Sequence, residues 1–216
     1  MRRSGVRVLL AVLLGCAGLA AGASRAADAA DADPDTPAAP GARLIFWQQE
    51  KFVWRYSRAQ QPGWLEPGLG LRLFQAAAQA WRVCGLRIEF AGETDLPAGR
   101  MDGANVVGWA ASMRAGMRGI TLRRQAAGAL QEADVAINGA NPELRASPDL
   151  LRKVVLHEFG HALGLVHSRN CADVMSFGAW CRGMPHGDLA RAPTPGDLAQ
   201  CARRYATGRE PGGGRP

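Results

Sequence analysis

The sequence predicts an α/β fold of the α+β kind, a mixed β-sheet with helices packed against it, on three observations. Short runs of alternating apolar residues and longer runs at helical spacing follow one another as strand, helix, four strands, helix. Hydrophobic residues make up 47% of the chain and charged residues 21%, the balance of a soluble globular protein. At 216 residues there is room for one ordinary domain with a full core and short extensions.

Residues 1–26 have the layout of an export signal. Arg2, Arg3 and Arg7 form a positive region, and Val8 to Leu14 with the Ala/Gly-rich stretch after it forms an apolar one. Two small-residue cleavage sites follow, Ala21-Gly22-Ala23 and Ser24-Arg25-Ala26. The apolar run is too short and too rich in Ala and Gly for a membrane span. Leu13-Leu14-Gly15-Cys16 also resembles a bacterial lipoprotein box, so lipidation at Cys16 is the alternative to simple cleavage. The protein is therefore expected to be secreted or periplasmic, the alternative being an outer-membrane or cell-surface lipoprotein. Residues 27–42 are acidic, Pro-rich and almost free of large apolar side chains, which reads as a disordered linker. The folded domain is expected over 43–207 and a flexible tail over 208–216.

Within the domain, Leu44–Trp47 and Phe52–Tyr56 read as strands, the second alternating as a sheet with one covered face requires. Pro62-Gly63 and Pro67-Gly68 break the chain. A helix follows from about Leu69, with Leu73, Ala76, Ala77, Ala80 and Trp81 at helical spacing and Gly85 as its stop. Leu86–Phe90 and Asn105–Trp109 alternate as strands around a loop rich in Gly, Asp and Pro. Ile120–Arg124 reads as a short strand whose charges suit an exposed edge, with Arg114, Arg118, Arg123 and Arg124 flanking or lying on it. Ala133–Asn138 alternates again. Ser147 suits a helix N-cap, Pro148 the first turn and Asp149 the positive end of the dipole, and Leu151, Val154, Val155, Ala162 and Leu163 supply a buried side. Thr194-Pro195-Gly196-Asp197 opens a last helix through Leu198, Cys201 and Tyr205.

The formal charge of +7 is mostly leader. Without Arg2, Arg3, Arg7 and Arg25, 22 basic residues face 19 acids, too weak a field to argue for nucleic acid. Four cysteines remain after Cys16, and in an exported domain they suggest two disulfides with three possible connectivities. Cys171–Cys181 closes a small loop just beyond His167, and Cys84–Cys201 follows by elimination. Their spacing contains no CxxC, which argues against a cysteine-held zinc.

The most informative stretch is His157-Glu158-Phe159-Gly160-His161-Ala162-Leu163-Gly164-Leu165-Val166-His167. His157 and His161 are four apart, so a helix stacks them on one face. Gly164 permits the left-handed backbone that ends the helix and lets His167 return as a third nitrogen ligand. Three protein ligands with one open position make a catalytic rather than a structural zinc site. Glu158 is placed to reach a water in the open position and to serve as general base for hydrolysis.

This HExxHxxGxxH pattern resembles the metzincin zinc proteases, and among them most nearly the matrixins. Ser168 follows the third histidine as it does in matrixins, and Asp173-Val174-Met175-Ser176 looks like the Met-turn that floors the zinc site. Ala133–Asn138 resembles the strand before the active-site helix, and Thr194–Tyr205 the closing helix. The resemblance implies a zincin-like fold over 43–207: a twisted five-stranded sheet with four parallel strands and one antiparallel edge, the active-site helix, the Met-turn and the C-terminal helix. It implies one catalytic Zn²⁺ on His157, His161 and His167, with Gly164 and Met175 in support. A protein or peptide substrate would lie along the edge strand at Ile120, Thr121 and Leu122, as β-augmentation predicts.

Calcium, which metzincins often bind, would fall to Asp102, Asn105, Asp134 and Asn138, although no EF-type loop is present. The protein is expected to be a monomer, with membrane contact only through a lipidated Cys16. Several family features are missing. Only His186 is left for a second zinc, no cysteine lies in 27–42 to act as a propeptide switch, and Phe177–Trp180 does not match the wall of the specificity pocket. The expected function is a secreted zinc metalloendopeptidase. The alternative is a non-catalytic zinc-binding envelope protein of the same fold.

Overall fold

The structure, a computed structural model, describes residues 45–49, 51–178, 181 and 190–205. The expected leader, Cys16, the linker, His186 and the tail lie outside the described residues. Five strands, β1 (Lys51–Ser57), β2 (Arg87–Thr94), β3 (Val106–Ala110), β4 (Gly119–Ala126) and β5 (Ala129–Asn138), form one sheet in the order β2-β1-β3-β5-β4. Pairing is parallel from β2 to β5, and β4 runs antiparallel to β5 at the edge. This is the mixed sheet with an antiparallel edge that the sequence implied.

Helices α1 (Leu69–Trp81) and α3 (Pro148–Ala162) pack against each other beside the sheet, and α4 (Pro195–Tyr205) closes the fold. The core is largely aromatic. Phe52 and Trp54, alternate residues of β1, each meet Phe159 of α3 edge-on at ring-centroid distances of 5.7 Å. Two buried tryptophans find polar partners on α3: Trp47 donates to the carbonyl of Ala162 and Trp81 to that of Leu156, both at 2.8 Å. These bonds fix where α3 lies along its axis. Its start follows the expected capping, with the Ser147 hydroxyl accepting from the N–H of Leu150 and Pro148 in the first turn.

Three local features differ from the sequence expectation. Leu44–Trp47 contributes no strand among the described residues, only an isolated bridge between Phe46 and Ala129. The carbonyl of Ile45 is taken by Arg204, that of Phe46 by the N–H of Leu130, and the Trp47 ring is buried on α3, so the segment's bonds are spread over several elements. Strand β5 begins at Ala129 rather than Ala133 because Ala127 (φ 51°) and Gly128 (φ 79°) form a two-residue turn from β4. Two consecutive positive φ values are the hairpin geometry that Asn-Gly usually announces, and Ala-Gly does not announce it. A short helix, α2 (Pro142–Ala146), was not expected either; the Asn141 side chain caps it through the N–H groups of Glu143 and Leu144.

The residues offered for calcium make hydrogen bonds to backbone. Asp134 accepts from the N–H groups of Gly99 (2.7 Å), Arg100 (3.0 Å) and Val106 (2.8 Å), pinning the loop between β2 and β3. Burial still pushes its carboxyl above the usual range. Asn105 bonds Val53 and Ala133, Asn138 bonds Met117 and Ala140, and Asp102 bonds Ala104. Two disulfides join Cys84 to Cys201 and Cys171 to Cys181. The first ties α4 to the turn that ends α1, and both suit an oxidising compartment.

Candidate metal centre

Among the described residues, His157, His161 and His167 form the cluster able to hold a metal ion. Helix α3 carries the first two on one face. After Ala162 the chain leaves the helix through Gly164 at φ 88°. A Cβ there would lie 2.6 Å from the carbonyl oxygen of Ile45, so close approach as well as backbone conformation calls for glycine. The turn brings His167 back over the helix face.

The three Nε2 atoms lie 3.1–3.2 Å from one another. Bonds of about 2.0–2.1 Å at tetrahedral angles would place three nitrogens about 3.3–3.4 Å apart, so the triangle has nearly the size zinc requires. Tautomers support the same fit. Nδ1 of His157 meets the carbonyl of Val174 at 2.8 Å, and Nδ1 of His161 that of Leu165 at 2.9 Å. A carbonyl only accepts, so each Nδ1 carries the hydrogen and each Nε2 presents a lone pair. Lone pairs converging at this distance repel unless a cation lies among them. Burial holds the His157 and His161 rings below the usual imidazole pKa, and for His161 the neighbouring His157 and His167 add to the effect. Neutral rings are the ligating form.

The floor beneath the rings comes from Asp173–Ser176 and is held by α4. Met175 is fully buried, and a Cβ on Gly160 would overlap its Sδ and come within 2.8 Å of Trp81 Cζ2. Gly160 is therefore the cleft in α3 that admits Met175. The Asp197 carboxylate, with no exposed surface, accepts from the N–H groups of Val174 (2.9 Å), Met175 (3.1 Å) and Thr194 (2.9 Å). One turn along α4, Gln200 accepts from the N–H of Val166 and donates to its carbonyl, both at 3.1 Å. One face of α4 thus holds the residue before His167 and the turn beneath the histidines. Asp173 gathers Ser168, Asn170 and Thr194, and the N–H of Ser168 donates to the carbonyl of Met175 at 2.7 Å. Phe177 stacks on His167 with ring centroids 4.8 Å apart.

The roles of Asp197, Gln200 and Gly160 were not read from the sequence. Asp197 was visible as a helix-opening residue, the signal that could have pointed to it, but its reach back to the floor is not local information.

Glu158 is 8% exposed and lies against β4. Its Oε2 is 2.7 Å from the Thr121 hydroxyl, and a Cβ on Gly119 would be 2.9 Å from its Cγ. The N–H of Asn138 donates to the carbonyl of Arg118, which fixes the β4–β5 hydrogen-bond phase. By alternation, Ile120 and Leu122 spend their backbone groups on β5, while those of Gly119, Thr121 and Arg123 face the open edge. Of the three residues expected to meet substrate, Thr121 alone has its N–H and C=O on that edge.

Residues 74–178 match the family model for matrixin. The chain carries a matrixin-like domain. No curated protein matches it. Matrixins are zinc metallopeptidases acting on proteins or peptides, and the matched stretch runs from within α1 through the Met175 turn, including all three histidines. Outside it, α4 supplies the matrixin-like centre with Asp197 and Gln200.

Proposed function

We propose that the protein is a secreted zinc-dependent endopeptidase in which Glu158 is the general base. The convergence of three Nε2 atoms, two of them presented by carbonyl-bound rings, is the observation that carries this reading. Zinc held by His157, His161 and His167 would polarise the scissile carbonyl and lower the pKa of water to about 7. Glu158 takes the proton of the attacking water on a carboxylate oxygen and delivers it to the leaving amine. An extended peptide pairs with the N–H and C=O groups of Gly119, Thr121 and Arg123, adding a strand to the sheet. Phe177 and the Met175 turn keep the His167 ring in place during turnover.

Secretion is supported by the two disulfides together with the leader composition. Among the described residues, no helix is long and apolar enough to cross a membrane. The test is cleavage of an unfolded protein by the purified, zinc-loaded chain. Cleavage that stops with a chelator and returns with zinc is expected. A protein that holds one zinc yet leaves the substrate intact would instead be a non-catalytic binding protein.

A further inference from the structure

Thr121 lies in the strand offered to substrate, yet the residue is only 4% exposed and its hydroxyl is turned toward α3. We propose that the Thr121 hydroxyl is the positioning group for the Glu158 carboxylate, so that the strand pairing with substrate also holds the base. The inference rests on the reading of Glu158 as general base.

The geometry is specific. Thr121 Oγ1 is 2.7 Å from Oε2 of Glu158 and 2.9 Å from the Glu158 backbone carbonyl. A hydroxyl has one proton, and an ionised carboxylate can only accept, so the shorter contact takes the proton. Charge-assisted bonds of this kind are the stronger class. The β-branched threonine has few χ1 choices, so its oxygen is a stiff pointer. Gly119, two residues earlier on the same face of β4, leaves the space in which the Glu158 stem lies. A side chain at 119 would push that stem away, and a methyl at 121 would remove the hydroxyl's hold on Oε2. The backbone N–H and C=O of Thr121 meanwhile face the open edge. Pairing with an extended peptide would stiffen this residue at the moment the base is needed.

The experiment compares the full zinc-loaded chain with Thr121→Val, Thr121→Ser and Gly119→Ala. In Thr121→Val, zinc stoichiometry stays at the wild-type value and KM changes little, while kcat falls about tenfold, the size of one lost hydrogen bond to a charged group. Thr121→Ser keeps the hydroxyl and restores most of kcat, a rescue that a purely packing role would not give. Gly119→Ala lowers kcat without loss of zinc.

A crystal structure of zinc-loaded Thr121→Val shows the Glu158 carboxylate moved from its wild-type place. An unchanged carboxylate, an unchanged kcat, or a serine variant as slow as the valine variant would each overturn the proposal. If the valine variant does not fold, Thr121→Ser against Thr121→Ala makes the same comparison. If the wild type shows no chelator-sensitive cleavage, the peptidase reading fails by itself. The carboxylate position in the crystals still decides whether Thr121 holds Glu158.

Discussion

Beneath the three histidines, Val174, Met175 and Thr194 all donate to one buried carboxylate, while Val166 is gripped at both its N–H and its C=O by Gln200. Both side chains come from α4, which a disulfide ties to the end of α1. Beside the histidines, Glu158 leans on β4, an edge strand with a sheet neighbour on one side only. The floor is cross-linked into the core, whereas the lip belongs to an edge strand of the sheet, the strand proposed to pair with a peptide. On the proposed reading, seating a metal and positioning a base are separate structural tasks, and substitutions should separate them.

The largest separation is expected from Glu158→Ala. Peptide cleavage should fall by about 10²–10⁴-fold, the usual contribution of a general base, while zinc stays bound. Turnover kinetics with zinc analysis of the same sample checks this, and joint loss of zinc and activity would mean that floor and lip are one unit. Next comes the floor itself. Asp197→Ala leaves two buried N–H groups and one half-buried one without their acceptor and should destabilise the fold by about 3–5 kcal/mol, at about 1–3 kcal/mol for each group and with some relaxation. Denaturant unfolding measures it, and zinc retention should weaken in parallel, unlike in Glu158→Ala.

Metal removal should act on the floor as well. A ligand at a hundred times its dissociation constant stabilises the native state by about 2.7 kcal/mol, which in a domain of this size is about 5–11 °C in Tm. A chelator should lower Tm by that amount in the wild type and equally in Thr121→Val. A Tm that ignores chelation would mean that the imidazole triangle is not a metal seat.

How much of this could be read beforehand depended on whether the information was local. Ser147, Pro148, the i, i+4 histidines and Gly164 are adjacent or one helical turn apart, and their chemistry follows from spacing alone. The alternation of Phe52–Tyr56 and Ala133–Asn138 likewise gave strands, although the Ala127-Gly128 turn hid where β5 begins. Asp134 was offered for calcium only through the family resemblance, and spacing does not reveal that its hydrogen-bond partners lie in a loop about thirty residues away. Thr121 was read by its backbone, as an edge residue, and its hydroxyl's partner lies 37 positions on. Asp197 and Gln200 reach back 22–34 residues, and no periodicity records such a pairing.

Gly160 is the mildest and most discriminating case. It stands between the metal helix and the floor, and a methyl there would meet both Met175 and Trp81. Alanine favours helix by about 1 kcal/mol over glycine, so helix propensity alone predicts that Gly160→Ala stabilises the fold. Overpacking a filled core costs about 1–3 kcal/mol and opposes that gain, because Met175 is fully buried and Trp81 is tied to Leu156. The net expectation is a loss of up to about 2 kcal/mol in denaturant unfolding, together with weaker zinc binding as Met175 is displaced. Methionine is adaptable, so repacking could absorb the methyl. A variant as stable as the wild type, with unchanged zinc affinity, would show that the floor yields more readily than the Asp197 network suggests, and the contrast between floor and lip would then narrow to Glu158 and its hold on β4.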